Sequence, residues 1–276
     1  MTVGNIPTSF SVQSSLTALA NTAQQLRKTE QALSTGKSVN SPSDNATAFN
    51  AAQGFLQQAN DLSSLKDNLA TSLTTVNSTT NSISDVSQVV QQLQGIATEA
   101  SSTTDTAVRA GLASQFNALL PQLDQLVNDA TFNGTNLLNN TANNLVVSFN
   151  ANNTAGLTIS SVNITSSGLN IAPAANGFAT TADINSADSQ LLSAQSTLNT
   201  NASNLNNNAA LIQTNQDFLS NLINNLQTAS DNLTAADPNQ EAANLLALQA
   251  QNQLGIVSVS ISGQLAQSIL KLFSNA

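Results

Sequence analysis

Cysteine, histidine, tryptophan and tyrosine are all missing from these 276 residues, and each absence removes chemistry. With no thiol and no imidazole there is no Cys nucleophile, no Ser-His-Asp triad, no Cys/His zinc site and no disulfide. Positive charge is scarce as well. Arg27, Lys28, Lys37, Lys66, Arg109 and Lys271 are the whole basic set, none lies between Ala110 and Leu270, and the formal net charge is -9. A groove that tracks phosphates needs clustered Lys and Arg, so nucleic acid is not an expected partner. No apolar run approaches the roughly 18 residues of a membrane span, and no membrane partner is expected either. The first basic residue is Arg27 and no unbroken apolar stretch of leader length lies in residues 1–20. If the chain leaves a cell, the expectation is that it does so without a Sec-type leader.

The residues that remain are largely Ala, Leu, Ser, Thr, Asn and Gln, with nine Phe as the only aromatics. Charge is the usual guard against association. A surface of amides and hydroxyls with few charges therefore suggests copies packed side by side.

Counting in sevens from Ala48 gives Phe55, Leu62, Leu69, Val76, Ile83, Val90 and Ala97, with Ala51, Leu65, Val86, Leu93 and Ala100 among the companion positions. A second series runs Ile184, Leu191, Leu198, Leu205, Ile212, Leu219, Leu226 and Leu233. Both follow heptad rules for long helices, each about 75–80 Å in length at the standard rise. Their companion positions include Ser72 and Thr79 in the first and Asn201, Asn208 and Asn215 in the second, which require hydrogen-bonded partners or water. A third helix fits Val108 to Ala130 through Val108, Leu112, Phe116, Leu119, Leu123 and Leu126, with Pro121 as a potential kink. Residues 145–149 and 157–164 alternate or run apolar across a loop at 150–156, a hairpin signal.

Two breaks separate the long helices from the chain ends. Gly36 stops one helix, and Ser41-Pro42 reads as an N-cap with Pro in the first helical position and Asp44 in the first turn. Asp237-Pro238 with Glu241 repeats the device, starting a last helix around Asn239. The outermost segments are then amphipathic helices. One carries Val12, Leu16, Leu19, Ala23, Leu26 and Leu33; the other carries Leu245, Leu248, Leu254, Val257, Ile261, Leu265, Ile269 and Leu272. Either stripe alone buries too little to offset the entropy of ordering its helix. The expectation is that the two ends emerge together, pair, and become helical only on meeting the ends of other copies.

Leu33-Ser-Thr-Gly-Lys-Ser-Val-Asn-Ser-Pro-Ser-Asp-Asn-Ala46 matches the L-S-[ST]-G-x-x-[IV]-N-S-x-x-D-[DN]-A signature that follows the first helix of bacterial flagellins, with Gly36, Asn40, Ser41, Pro42 and Asp44 in the turn. Thr131-Phe-Asn-Gly134 with Asn136-Leu-Leu138 is similar to the family's F-N-G-x-x-L-L turn. Asp237–Asn244 resembles the D-x-x-x-E-x-x-N start of its last helix, and Gln267–Leu272 its Q-x-[VI]-L-x-L ending.

The resemblance implies a mainly α fold, a long antiparallel helical bundle or coiled coil with a small β-hairpin and chain ends paired as terminal helices. It divides the chain into 1–40 and 239–276 as the halves of an inner-tube terminal domain and 41–140 and 183–238 as the helical rod. Residues 141–182 are then the rod's hairpin and loops. It implies a structural subunit of an extracellular flagellar filament for swimming, with no enzymatic activity and no cofactor. The partners implied are copies of itself, the flagellar export apparatus and its chaperone, the filament cap and the hook-associated proteins.

Two departures from the family pattern stand out. Only about 50 residues separate Asn133 from Asp183, too few for an added outer domain of ordinary size, so a thin, smooth filament is expected. Residues 90–100 resemble the L-Q-R-x-R-E-L-A-x-Q-A segment read by a vertebrate innate immune receptor in some flagellins, with Gln92 and Gln94 in place of the two Arg and Gly95 in place of the Glu. Two guanidinium forks are lost, and weak receptor activation is expected.

Three other readings fit parts of the sequence. A hook-filament junction protein shares the terminal helices and the S-G-x-x-[IV]-N-S-P-x-D signature, whereas Phe132-Asn133-Gly134 and the lack of Tyr favour flagellin. A surfactant-like coat for lipid or polymer granules needs basic residues beside its apolar stripe, and the last helix offers Lys271 alone. An enzyme would have to rest on carboxylates. Asp124 with Asp129 and Asp183 with Asp188 are each five apart, a spacing that does not put both groups on one helical face. Solvated surface acids account for them better, and Asp44 and Glu241 read as charges at helix N-termini.

Overall fold

The computed structural model describes residues 8–140, 143–150, 152 and 154–274, with the side chains at 8–11, 266, 269, 270 and 272–274 outside the description. Among the described residues the chain forms α1 (Thr8–Thr35), α2 (Ala46–Ser101), α3 (Thr106–Asp129), β1 (Leu145–Ser148), β2 (Gly156–Ile159), a 3-10 turn (Ala175–Phe178), α4 (Thr181–Thr234) and α5 (Pro238–Ser274). The fold is mainly α with a two-stranded antiparallel sheet. No helix among the described residues is long and apolar enough to cross a membrane.

The fold comprises two compact units. One is built on α1, α5 and the adjoining ends of α2, up to Gln58, and α4, from Asn225; the other runs from Ala59 to Asn224. The larger unit is held by the two heptad series. Leu69, Val76, Ile83, Val90 and Ala97 of α2 are buried, as are Ile184, Leu191, Leu198, Leu205, Ile212 and Leu219 of α4. The two helices run antiparallel. Ser87 and Gln195 exchange hydrogen bonds at 2.7 and 3.1 Å, and Arg109 ties Ala100, near the end of α2, to Ala179, just ahead of α4. Three of the polar companions are satisfied locally. Thr79 donates to the Thr75 carbonyl at 2.8 Å, Ser72 to that of Asn68 and Asn215 to that of Leu211, the back-bonding open to hydroxyls and amides within a helix.

The third helix differs in phase from the expected stripe. Asp105 caps it, accepting from the Ala107 and Val108 amides, and it passes through Pro121 without ending. Its buried face is Arg109, Leu112, Ala113, Phe116, Leu120, Leu123 and Val127, while Val108 and Leu126 are exposed. Arg109 sets this rotation. Its guanidinium donates to the carbonyls of Ala100 (3.1 Å), Thr103 (2.8 Å) and Ala179 (3.3 Å), so one acceptor in the last turn of α2 and two in loops draw the Arg inward and turn Val108 out. Below it Phe116 meets Phe178 edge to face, ring centroids 5.4 Å apart.

The hairpin is also shorter than the alternation suggested. Leu145–Ser148 pairs with Gly156–Ile159, but residues 160–164 leave the ladder. Val162 and Ile164 donate to the Leu137 and Leu138 carbonyls, and Asn140 donates to Val162. The segment after the F-N-G turn therefore takes the pairing that a longer β2 would have used. The turn itself is closed by reciprocal Phe132–Thr135 backbone bonds at 2.9 Å, with Asn133 and Gly134 both at positive φ, the conformation that favours Asn-Gly in a two-residue turn.

Two further expectations are corrected. Helix α2 begins at Ala46, with the Asn45 side chain accepting from the Ala48 amide at 3.0 Å. Ser41-Pro42 sits instead in a preceding turn closed by the Asp44 amide and the Ser41 carbonyl. Asn45 wins because its side chain reaches the third amide of the helix. At the far end of the second series Leu233 is exposed, while Ser230 and Thr234 are buried. In the same unit Ala52 of α2 is buried, Ala48 and Phe55 are half-buried and Ala51 is exposed. The close-packed positions there are small residues, and the seam moves round each helix to follow them.

Candidate functional site

The candidate site lies in the smaller unit, where both helix breaks and both terminal helices meet. Gly36 adopts φ +68 with open space where a Cβ would stand, so its role is to end α1 in a left-handed conformation that L-residues resist. The chain then runs beside the end of α4. Ser38 N donates to the Thr234 carbonyl at 2.7 Å, Ser38 Oγ to Ala235 at 2.9 Å, and Ala236 N returns a bond to Gly36 at 2.9 Å. Asn40 Nδ2 donates to the Lys37 carbonyl at 2.7 Å. Asp44 gathers the rest. Its Oδ2 accepts from the Asn40 amide, the Ser41 amide and the Ser41 hydroxyl at 3.0–3.2 Å, and Lys28 of α1 lies 3.4 Å from Oδ1. The Ser41 hydroxyl first, then the backbone amides and Lys28, hold the Asp44 carboxyl below its ordinary range. Pro42 is exposed within this turn. On the other strand of the joint Asp237 caps α5, accepting from the Asn239 and Gln240 amides.

Terminal helices α1 and α5 pack against each other and run antiparallel: Gln25, Lys28 and Thr29 share a cleft with Asn244, Leu248 and Gln251, and Leu19 lies opposite Gly255. The shielded positions of α1 are Val12, Ser15, Leu19, Thr22, Ala23, Leu26, Thr29 and Ala32. Those of α5 are Glu241, Leu245, Leu248, Asn252, Gly255, Val259, Ser262 and Gly263. Small or polar residues are interspersed with aliphatics on both sides. At Gly255 an added Cβ would stand 2.9 Å from Leu19 Cδ1, so the glycine marks a close approach. The two ends are therefore helical within one copy, because each supplies the seam that the other lacks alone, where the sequence suggested that helices form only on assembly.

The stripe of α5 divides. Leu245 and Leu248 face α1, whereas Leu254, Val257, Ile261 and Leu265 are 52–69% exposed, with Leu246 and Ile256 exposed beside them. Leu248 and Leu254 lie about 120° apart at the helical rotation per residue. On α1, Leu16 and Leu33 are also exposed, while Val12, Leu19 and Leu26 are half-buried in the pair. The Ile269 and Leu272 side chains lie outside the described residues. The pair thus covers one apolar face of α5 and leaves a second uncovered. Sequence reasoning placed all of these residues on one face because they share apolar character; the glycine and serine positions between them were the signal that a second seam existed.

In the larger unit Gln92 and Gly95 are exposed and Gln94 is half-buried on α2. Among the described residues no group of three acidic side chains is placed to hold a metal. Asp183, read as a solvated acid, is engaged at the start of α4. It accepts from the Thr180 hydroxyl (2.7 Å) and amide and from Asn176 Nδ2, and these bonds, the hydroxyl foremost, hold its carboxyl below the ordinary range. Asp124 accepts from the Ser166 amide and hydroxyl, fixing the turn at 165–171. Both are structural.

Comparison with known proteins agrees with this geometry. Residues 6–143 match the family described as bacterial flagellin N-terminal helical region. The chain is similar to flagellin FljN of Caulobacter vibrioides, at 27% identity over 58% of this chain and 59% of that protein. It is also similar to a flagellin of Brucella melitensis, at 28% identity over 55% of each. The matches thus span less than three-fifths of these relatives' length. Bacillus cereus flagellin has a crystal structure similar over 55% of this chain and 88% of that one, at 15% identity and a TM-score of 0.49. With half of its length matching the family, α1 to α3 and the Phe132-Asn133-Gly134 turn included, the chain belongs to the bacterial flagellins.

Proposed function

We propose that this chain is a structural subunit that polymerises through its paired terminal helices into a bacterial flagellar filament, outside the cell, for swimming. The observation that carries this is the uncovered face of α5. Leu246, Leu254, Ile256, Val257, Ile261 and Leu265 all lie exposed within 20 residues of one helix, six of the fifteen large apolar side chains exposed among the described residues. A row of that kind on a soluble monomer marks an interaction surface, and burying it against the same face of neighbouring copies removes it from water at about 25 cal/mol per Å². The family's structural role supports the reading and gives an enzymatic role no support. Export through the flagellar secretion apparatus with a chaperone, assembly under a cap and attachment to hook-associated proteins follow as the partners of such a subunit. A role as hook-filament junction protein is not favoured, since the relatives are flagellins by name.

Sedimentation and negative-stain microscopy of the purified protein test the proposal. The parent chain forms pelletable filaments, and the double variant Leu254→Asp, Ile261→Asp does not, with unchanged helical circular dichroism. A parent that remains monomeric at high concentration, or a variant that polymerises as well as the parent, overturns it.

A further inference from the structure

We propose that Phe218 on α4 of one copy seats in a cleft between β2 and α4 of the neighbouring copy, so that the larger unit carries both knob and hole of a directional contact. This inference rests on the polymer-forming reading above and names a second contact within it. Phe218 is the one phenylalanine side chain that is exposed among the described residues, at 62%. It continues a strip, with Leu211 exposed seven residues before it and Leu222 half-buried four residues after. The neighbouring Asp217 carboxylate accepts from Gln213 Nε2 at 3.1 Å.

The cleft has a volume of about 230 Å³, with an apolar floor that includes Ile159, Val162 and Leu205 and a rim of Asn201, Asn204 and Asn208. A dry apolar cavity of about 150 Å³ already accepts benzene, so a phenyl ring fits. No charged residue lines the cleft. In a chain of net charge -9, where like charges oppose the approach of copies, a neutral hole and an aromatic knob meet without that penalty. The asparagine rim also answers the question raised by polar residues in the α4 seam: two of the three line this opening.

Phe218 does not reach its own cleft. It lies thirteen positions beyond Leu205 on one continuous helix, about 20 Å along the axis. Phe218 can therefore fill this cleft only in a second copy. A knob and a hole at different places on one molecule make a heterologous contact, which propagates as an open row, and here it sets an axial offset of about 20 Å between neighbouring α4 helices.

The absence of cysteine makes the test clean. Copies carrying Phe218→Cys and copies carrying Asn204→Cys are mixed, polymerised and oxidised with diamide. The expected result is a Phe218→Cys to Asn204→Cys cross-link at least about tenfold above the Asn204→Cys self-pair, together with a rise of about fivefold or more in the critical concentration of Phe218→Ala. Phe218→Ala monomers keep the parent's melting temperature, since the side chain is exposed. Polymers in which cross-linking is indiscriminate, or Phe218→Ala polymers with the parent's critical concentration, overturn this contact and leave the terminal-helix reading standing. A parent that does not polymerise overturns both.

Discussion

Ser38 and Thr234, 196 residues apart in sequence, are joined by a backbone hydrogen bond of 2.7 Å and by a second from the Ser38 hydroxyl at 3.3 Å. The two helix breaks are thus one structure: the chain leaves α1 and leaves α4 at the same place and ties the two exits together. That bond fixes where α1 ends relative to the start of α5, and so fixes the register of their seam.

Gly36→Ala tests the joint. Open space surrounds the missing Cβ, so the cost is the left-handed backbone alone, about 1–2 kcal/mol. Ser38→Pro removes the donor to Thr234 and costs more than Gly36→Ala. Thermal unfolding followed by circular dichroism checks both, and equal melting temperatures for the three proteins would contradict the role assigned to the joint.

Acid should loosen the same turn. The Asp44 pKa is lowered from 3.8 in the folded chain, so ionised Asp44 favours the folded state above its unfolded pKa. That contribution is lost as pH falls from about 4 through the lowered folded value. Hydrogen exchange at the Asn40 and Ser41 amides therefore accelerates below about pH 4 relative to amides of α2. In Asp44→Asn the step disappears, because nothing in the turn titrates.

Arg109 is buried and donates only to backbone carbonyls. Arg109→Met leaves those carbonyls without a donor and costs about 2–4 kcal/mol in chemical denaturation. Arg109→Lys does not restore the parent's stability, because a point ammonium does not span three acceptors the way the planar fork does. Full rescue by Lys would show that charge alone matters.

The segment at Gln92, Gln94 and Gly95 gives a prediction on the proposed filament's recognition. Amides stand where guanidinium groups would make charge-assisted bonds, so the chain activates the vertebrate receptor weakly. Gln92→Arg with Gln94→Arg increases the response in a reporter assay by about tenfold or more. Full potency of the parent chain would remove the claim.

The long helices, the two breaks, the Asp237 cap and the F-N-G turn were legible in the sequence because each depends on residues close together along the chain. A Gly at a helix end acts through its own backbone, an Asp before Pro through a carboxylate that reaches amides two and three residues on, and a heptad series of eight apolar residues fits no other period. Phase within a helix was less legible. Val108 and Leu126 fit a stripe as well as Leu120 and Val127 do, and only Arg109, reaching carbonyls on two other segments, turned α3 to its actual face.

By itself, the sequence determined that this is a mainly helical chain without thiol or imidazole chemistry, with two amphipathic ends set off by breaks and with little charge to keep copies apart. Tertiary structure decided which apolar residues of those ends are already used. Leu248 and Leu254 have the same hydrophobicity, and only packing against α1 distinguishes them. Small residues at Ser15, Thr22, Gly255 and Ser262 lie on the shielded side of each helix, where the two meet, leaving Leu254, Val257, Ile261 and Leu265 turned to solvent. A hydrophobic pattern records that a residue favours cover, and the partner that arrives at close range determines which residues receive it.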